Sequence, residues 1–163
     1  MSEPVESTSA MNRFFNIDGD VSIQFAPWKL RDKGKPVGIA SFSLREPLRF
    51  RSDIAGGVIV VPKAYESDLA SIPQFAWSIF MAPDDPRIEL GGWIHDFIYG
   101  NEGKITLENN NSISLTRKQA DEILAKEAMP DLLATKFRCF VVYQALRKFG
   151  RKWSNDSFSE RFD

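Results

Sequence analysis

An α+β fold is what this sequence predicts, with a small antiparallel β-sheet in the N-terminal half packed on a helical half of two or three main helices. Three observations carry the expectation. Up to about residue 65 the apolar residues alternate or form short β-branched runs between Gly and Pro turn signals. After Pro73 the apolar period becomes helical, and Thr116 with Gln119 makes the capping box that opens a helix. Gly150 then stands where a last helix has to stop.

Length and composition set the frame. One domain is expected from 163 residues, long enough to bury a core without cross-links. Lys and Arg number 21 against 22 Asp and Glu, a net charge of −1 that gives no reason to expect a nucleic-acid partner. One cysteine, Cys139, and one histidine, His95, exclude an internal disulfide and a structural zinc cluster. A cation that needs only oxygens, such as calcium, stays open. Residues 1–10 lack the basic start and apolar run of a signal peptide, and no apolar stretch reaches the roughly 18 residues of a membrane span. Synthesis in the cytoplasm and no transmembrane segment are therefore expected.

In chain order, residues 1–10 are polar and read as a flexible arm. The single domain runs over 11–152, its sheet within 11–65. Val21–Phe25, Val37–Leu44, Leu48–Arg51 and Gly57–Val61 are the strand candidates, separated by Pro27, Gly34 to Pro36, Pro47 and Gly56–Gly57, like a small meander or sandwich. Pro47 marks an edge or a bulge. The helical half covers 72–150. Gln74–Met81 is apolar all round and so buried or at an interface, and Pro83 to Pro86 interrupts before the helix that carries His95. Residues 101–115 form a polar loop or weak hairpin built on Ile105 and Leu107. From Thr116, Ala120, Ile123, Leu124 and Ala128 make an apolar stripe, with Asp121 about 20° from Ala128. Pro130 and Asp131 open the last helix, whose apolar residues surround most of its circumference and make it the expected central core helix. Arg147, Lys148, Arg151 and Lys152 at its end complement the helix dipole. The tail, 153–163, carries Trp153, Phe158 and Phe162 and either folds back or anchors to a neighbouring subunit.

Chemistry concentrates in three polar islands. These are Ser67 to Pro73, His95 to Tyr99, and Arg117 to Asp121. In a helix Ile88, Gly91, His95, Ile98 and Tyr99 share one face, so His95 looks inward and Asp96 lies on the flank. Gly91 and Gly92, each unfavourable in a helix interior by about 1 kcal/mol, suggest close approach by another backbone or a ligand. An inward histidine needs an orienting carboxylate to act as general base, and Asp121 is placed to be that group. Asp68 and Asp96, if they converge, supply oxygens for calcium. Each island also has a plain structural reading: Asp68 and Ser71 as a helix N-cap, Asp121 paired with Arg117 one turn back, Tyr99 as a core aromatic, and His95 as a hydrogen-bonded core histidine.

These motifs resemble those of the DUF1353 family of phage and prophage proteins. The family pattern appears as Ser67-Asp68-Leu69-Ala70-Ser71-Ile72-Pro73, His95-Asp96-Phe97-Ile98-Tyr99, Arg117 with Ala120-Asp121, Met129, and Arg147-Lys148-Phe149-Gly150. Ser67 stands for the usual threonine, Ile98 for leucine, and Leu124 for an aromatic. The resemblance covers roughly residues 55–150 and implies a bacteriophage origin. A second resemblance, to bacterial and fungal-type phospholipase A2, implies roles. His95 would be the general base, Asp121 its partner, and Tyr99 a neighbour in the catalytic set, with Asp68, Asp96 and the carbonyl of Leu69 as calcium ligands. Leu69-Ala70 replaces that family's Gly-Cys, and its disulfides are missing.

Three function classes follow. The first is a virion structural or assembly component of tail, neck or baseplate, in which the His/Asp network is structural and the partners are other phage proteins or further copies of this chain. The second is a calcium-assisted hydrolase of a lipid or other ester, built on the His95/Asp121 dyad. The third is a small host-interaction protein.

Overall fold

Residues 13–15, 23–26, 41–44, 46–67, 88–150 and 153 are described by the computed structural model. The architecture is α+β, as expected, but the β-rich half forms two small antiparallel sheets rather than one. In the first, β1 (Phe14–Phe15), β4 (Leu48–Ser52) and β5 (Gly57–Val61) lie in the order β1-β4-β5. The register pairs Phe14 with Phe50 and Phe50 with Ile59. Period-2 alternation sends Leu48, Phe50 and Ser52 inward, and the Phe14 and Phe50 rings pack with centroids 4.7 Å apart. The second sheet has β2 (Ile23–Ala26), β3 (Ser41–Leu44) and β6 (Glu66–Ser67) in the order β2-β3-β6. Pro47 lies just ahead of β4, outside the ladder, so the proline that suggested a bulge marks the strand's start.

Helix α1, Ile88–Gly100, buries Leu90, Trp93, Ile94, Ile98 and Tyr99. At Gly91 the close approach is made by side chains and not by a backbone or ligand: a Cβ there would stand 3.1 Å from Leu124 Cδ1 and 3.4 Å from Ala128 Cβ. It is a neighbouring helix that comes close at this point. A hairpin follows, β7 (Lys104–Thr106) paired with β8 (Ser112–Ser114), with Ile105 and Leu107 buried as expected. Gly103, at φ +77, is pressed on Leu115 and the Trp153 ring, a place no side chain fits.

The capping box forms as the sequence predicts. Gln119 N–H donates to Thr116 Oγ1 at 3.1 Å and Thr116 N–H to Gln119 Oε1 at 2.9 Å, opening α2 (Arg117–Glu122). The chain then widens into a π-helical segment, Ile123–Ala128, where Met129 N–H donates to Leu124 O five residues back. A short turn, α3 (Met129–Asp131), closes it.

Two expectations about the last helix need correction. Pro130 and Asp131 end the preceding helix, and α4 spans Lys136–Phe149. Leu133, at φ +64, reverses the chain, and Thr135 Oγ1 accepts from Arg138 N–H as a new N-cap, so one apolar periodicity is divided between two helices. Nor is α4 the central helix. Cys139, Val142, Ala145 and Leu146 are buried, but Phe137 is 77% and Phe140 60% exposed. The π segment takes the centre, with Ile123, Leu124, Ala125, Glu127 and Ala128 all buried, because its alanines let α1 approach. The expected arm over 1–10, the helix Gln74–Met81, the break Pro83 to Pro86, the tail residues Phe158 and Phe162, and the ligands Asp68 and Leu69 lie outside the described residues.

Candidate functional site

The first two turns of α2 and the inner face of α1 meet at Asp121. Its carboxylate is fully buried and accepts three hydrogen bonds. His95 Nε2 lies 3.0 Å from Oδ1, the Tyr99 hydroxyl donates to the same oxygen, and Arg147 Nη1 donates to Oδ2 at 3.2 Å. His95 and Tyr99 stand one turn apart on α1, their rings 4.1 Å apart and tilted by 34°. His95 meets Asp121, the carboxylate the sequence offered it, and Tyr99, expected on the same helix face as His95, reaches the same oxygen. Trp153 packs edge-on against Tyr99 at 5.2 Å, so the start of the tail folds back on the domain.

Charge and tautomer follow from this arrangement. A carboxylate only accepts, so Nε2 of His95 carries a proton, and in the neutral imidazole Nδ1 is then the nitrogen with the lone pair. Among the described residues Nδ1, though buried, has no hydrogen-bond partner. Burial first, and then the Asp121 charge, push the Tyr99 phenol far above its usual range, so it remains a donor. Arg117 does not pair with Asp121 across one turn. Its guanidinium is buried and donates to the carbonyls of Leu146 at 3.2 Å and Arg147 at 3.5 Å, fastening the end of α4 beside the dyad. Arg147, read from the sequence as a dipole-complementing cation and as part of the family pattern, is a direct partner of Asp121.

Asp96 goes elsewhere. It is half-buried, accepts from the Ser67 hydroxyl, and its backbone carbonyl accepts from Tyr65 Oη at 3.3 Å. Gly100 makes room for that phenol, since a Cβ there would stand 2.8 Å from the oxygen. With Asp68 and Leu69 outside the described residues, Asp96 is the one expected calcium ligand in view. Among the described residues no three His, Cys, Asp or Glu groups stand together as a metal set.

A second polar centre escaped the sequence reading. Glu127, on the π segment, is only 6% exposed. It accepts from Ser52 Oγ at 2.6 Å, Asp53 N–H at 2.9 Å and Ile54 N–H at 3.2 Å, with Arg13 Nη1 at 3.5 Å. The available signal was a charge three residues after Leu124, beside the apolar stripe. Its donors arrive from 73 to 114 residues away in sequence, which no local pattern reveals.

A family model described as Protein of unknown function (DUF1353) matches residues 42–146, more than half of the chain. No curated protein and no solved structure matches it. The matched span holds His95, Tyr99 and Asp121, the three residues that the fold brings together, and the chain belongs to the DUF1353 family.

Proposed function

We propose that this protein hydrolyses an ester or similar acyl bond, with His95 as general base. The observation that carries the reading is the unshared Nδ1. A histidine serving packing alone ordinarily satisfies both nitrogens, whereas here one is fixed on a carboxylate and the other keeps its lone pair. In the proposed step Nδ1 takes a proton from a water as its oxygen attacks the acyl carbonyl, and the imidazolium returns that proton to the leaving alkoxide. Asp121 stabilises the imidazolium, and Tyr99 and Arg147 hold Asp121 in place. Calcium at Asp96, Asp68 and the Leu69 carbonyl belongs to this proposal as a ligand to be tested, and no step is routed through it.

The single histidine makes the test clean. Imidazole nitrogen NMR reports His95 alone, and a proton on Nε2 with a bare Nδ1 is expected. Hydrolysis of a panel of soluble short-chain esters should fall by at least about a thousandfold in His95→Ala and Asp121→Asn. A proton on Nδ1, or hydrolysis that survives both substitutions, contradicts the reading.

A second reading rests on a different observation, the complete enclosure of both dyad side chains. On this reading the network is a structural tie joining α1, α2 and α4 in a phage virion or assembly component, and the same face-to-face helices serve a host-interaction protein equally well. It expects His95→Ala to unfold several degrees lower and no ester to be cleaved.

A further inference from the structure

The outer face of α4 is not built like a water-facing surface. Leu133 is 62%, Phe137 77% and Phe140 60% exposed, and at the helical period Phe137 and Phe140 stand about 60° apart, with Leu133 on the turn just before them. Around this ridge the helix carries Lys136, Arg138 and Lys148 and not one acidic residue, while its remaining cation, Arg147, is turned in on Asp121. Lys136 and Lys148 are exposed, and Lys148 projects within about 20° of Phe137 on the helical wheel. No helix among the described residues is long and apolar enough to cross a membrane, so this face would lie on a surface and not span one.

We infer that the α4 ridge of Leu133, Phe137 and Phe140 docks the protein on an anionic lipid surface. Charge selects the occupant. Two copies pairing through α4 would bring a uniformly basic helix against itself, whereas a negatively charged surface complements it. Shape agrees, because aromatics protruding from a helix and rimmed by lysines fit an interface that yields around them, with the rings below the headgroups and the ammonium groups among them. The inference deepens the hydrolase reading by naming the substrate class, a lipid ester presented at a membrane surface. It uses residues that take no part in the His95 network.

The test is co-sedimentation of the full chain with phosphatidylcholine vesicles, with and without a phosphatidylglycerol fraction. Binding is expected only with phosphatidylglycerol, and it should weaken as salt is raised. Phe137→Ser with Phe140→Ser should lower the affinity by about tenfold or more, since burying each ring in the interface contributes on the order of 1 kcal/mol. Both rings are exposed, so the double variant keeps its fold and its hydrolysis of soluble esters. His95→Ala should bind vesicles like the wild type. Absence of vesicle binding by the wild type overturns the inference while leaving soluble-ester hydrolysis to stand or fall alone. Self-association of the wild type that the double variant abolishes, without vesicle binding, assigns the ridge to a second copy and also overturns it. Vesicle binding with no ester hydrolysis upholds the surface and removes the enzyme reading.

Discussion

At the scale of single residues, Asp121 is the hub, because one carboxylate there satisfies three donors from two other helices. Tyr99 shows how this environment registers as pH dependence. Its phenol is raised by burial and by Asp121, so the folded protein holds the proton while an unfolded chain releases it near pH 10. The unfolded state then binds fewer protons, and stability declines as pH rises through that range. Chemical unfolding from pH 8 upward should show this loss, and Tyr99→Phe should show less of it. Burial also pushes the Cys139 thiol upward, so thiol reagents should label the native protein slowly and the unfolded protein at once.

At the scale of elements, the π segment governs the assembly, presenting Leu124 and Ala128 to α1 and Glu127 to the β4–β5 turn. Gly91→Leu should force α1 away from Leu124 and cost about 1–3 kcal/mol in denaturant unfolding, because the side chain has no room. Glu127→Ala should cost about 2–4 kcal/mol, since it leaves the Ser52 hydroxyl and the Asp53 and Ile54 amides without their acceptor. Glu127→Gln should recover part of that, as its amide oxygen still accepts. The exposed ion pair of Arg13 with Asp53 at 2.8 Å contributes far less, and Asp53→Asn should change stability by under about 1 kcal/mol.

At the scale of the whole molecule, the first sheet, the α1/π/α4 layer and the hairpin share one core that runs from Phe14 to Trp153. Trp153 closes that core against Tyr99 and Gly103. Trp153→Ala should therefore lower stability by about 3–5 kcal/mol. It should also reduce any His95-dependent hydrolysis by loosening Tyr99, a coupling readable as a fall in kcat with KM little changed. Calcium is testable at this scale too. Calorimetric titration of the wild type and of Asp96→Asn should give binding that the substitution removes, and equal heats in both proteins would take Asp96 out of the ligand set.

What the sequence alone determined is what local physics controls. Alternation and turn residues placed β4 and β5, the Thr116/Gln119 box placed the start of α2, and the helical period put His95 and Tyr99 on one inward face with Asp121 within reach. Only the tertiary structure decided the rest. A left-handed residue at Leu133 and a hydroxyl cap at Thr135 divide what reads as one helix, and periodicity does not register a reversal costing so few residues. Arg147 reaches Asp121 across 26 residues, and Arg13 reaches Glu127 across 114. Such partners are chosen by packing after the chain has collapsed, when an unpaired buried carboxylate is too unfavourable to keep. Burial works the same way: α4 carries the large side chains Phe137, Phe140 and Phe149 and leaves them exposed, whereas the alanine-bearing π segment occupies the centre because closeness of approach decides which helix is enclosed.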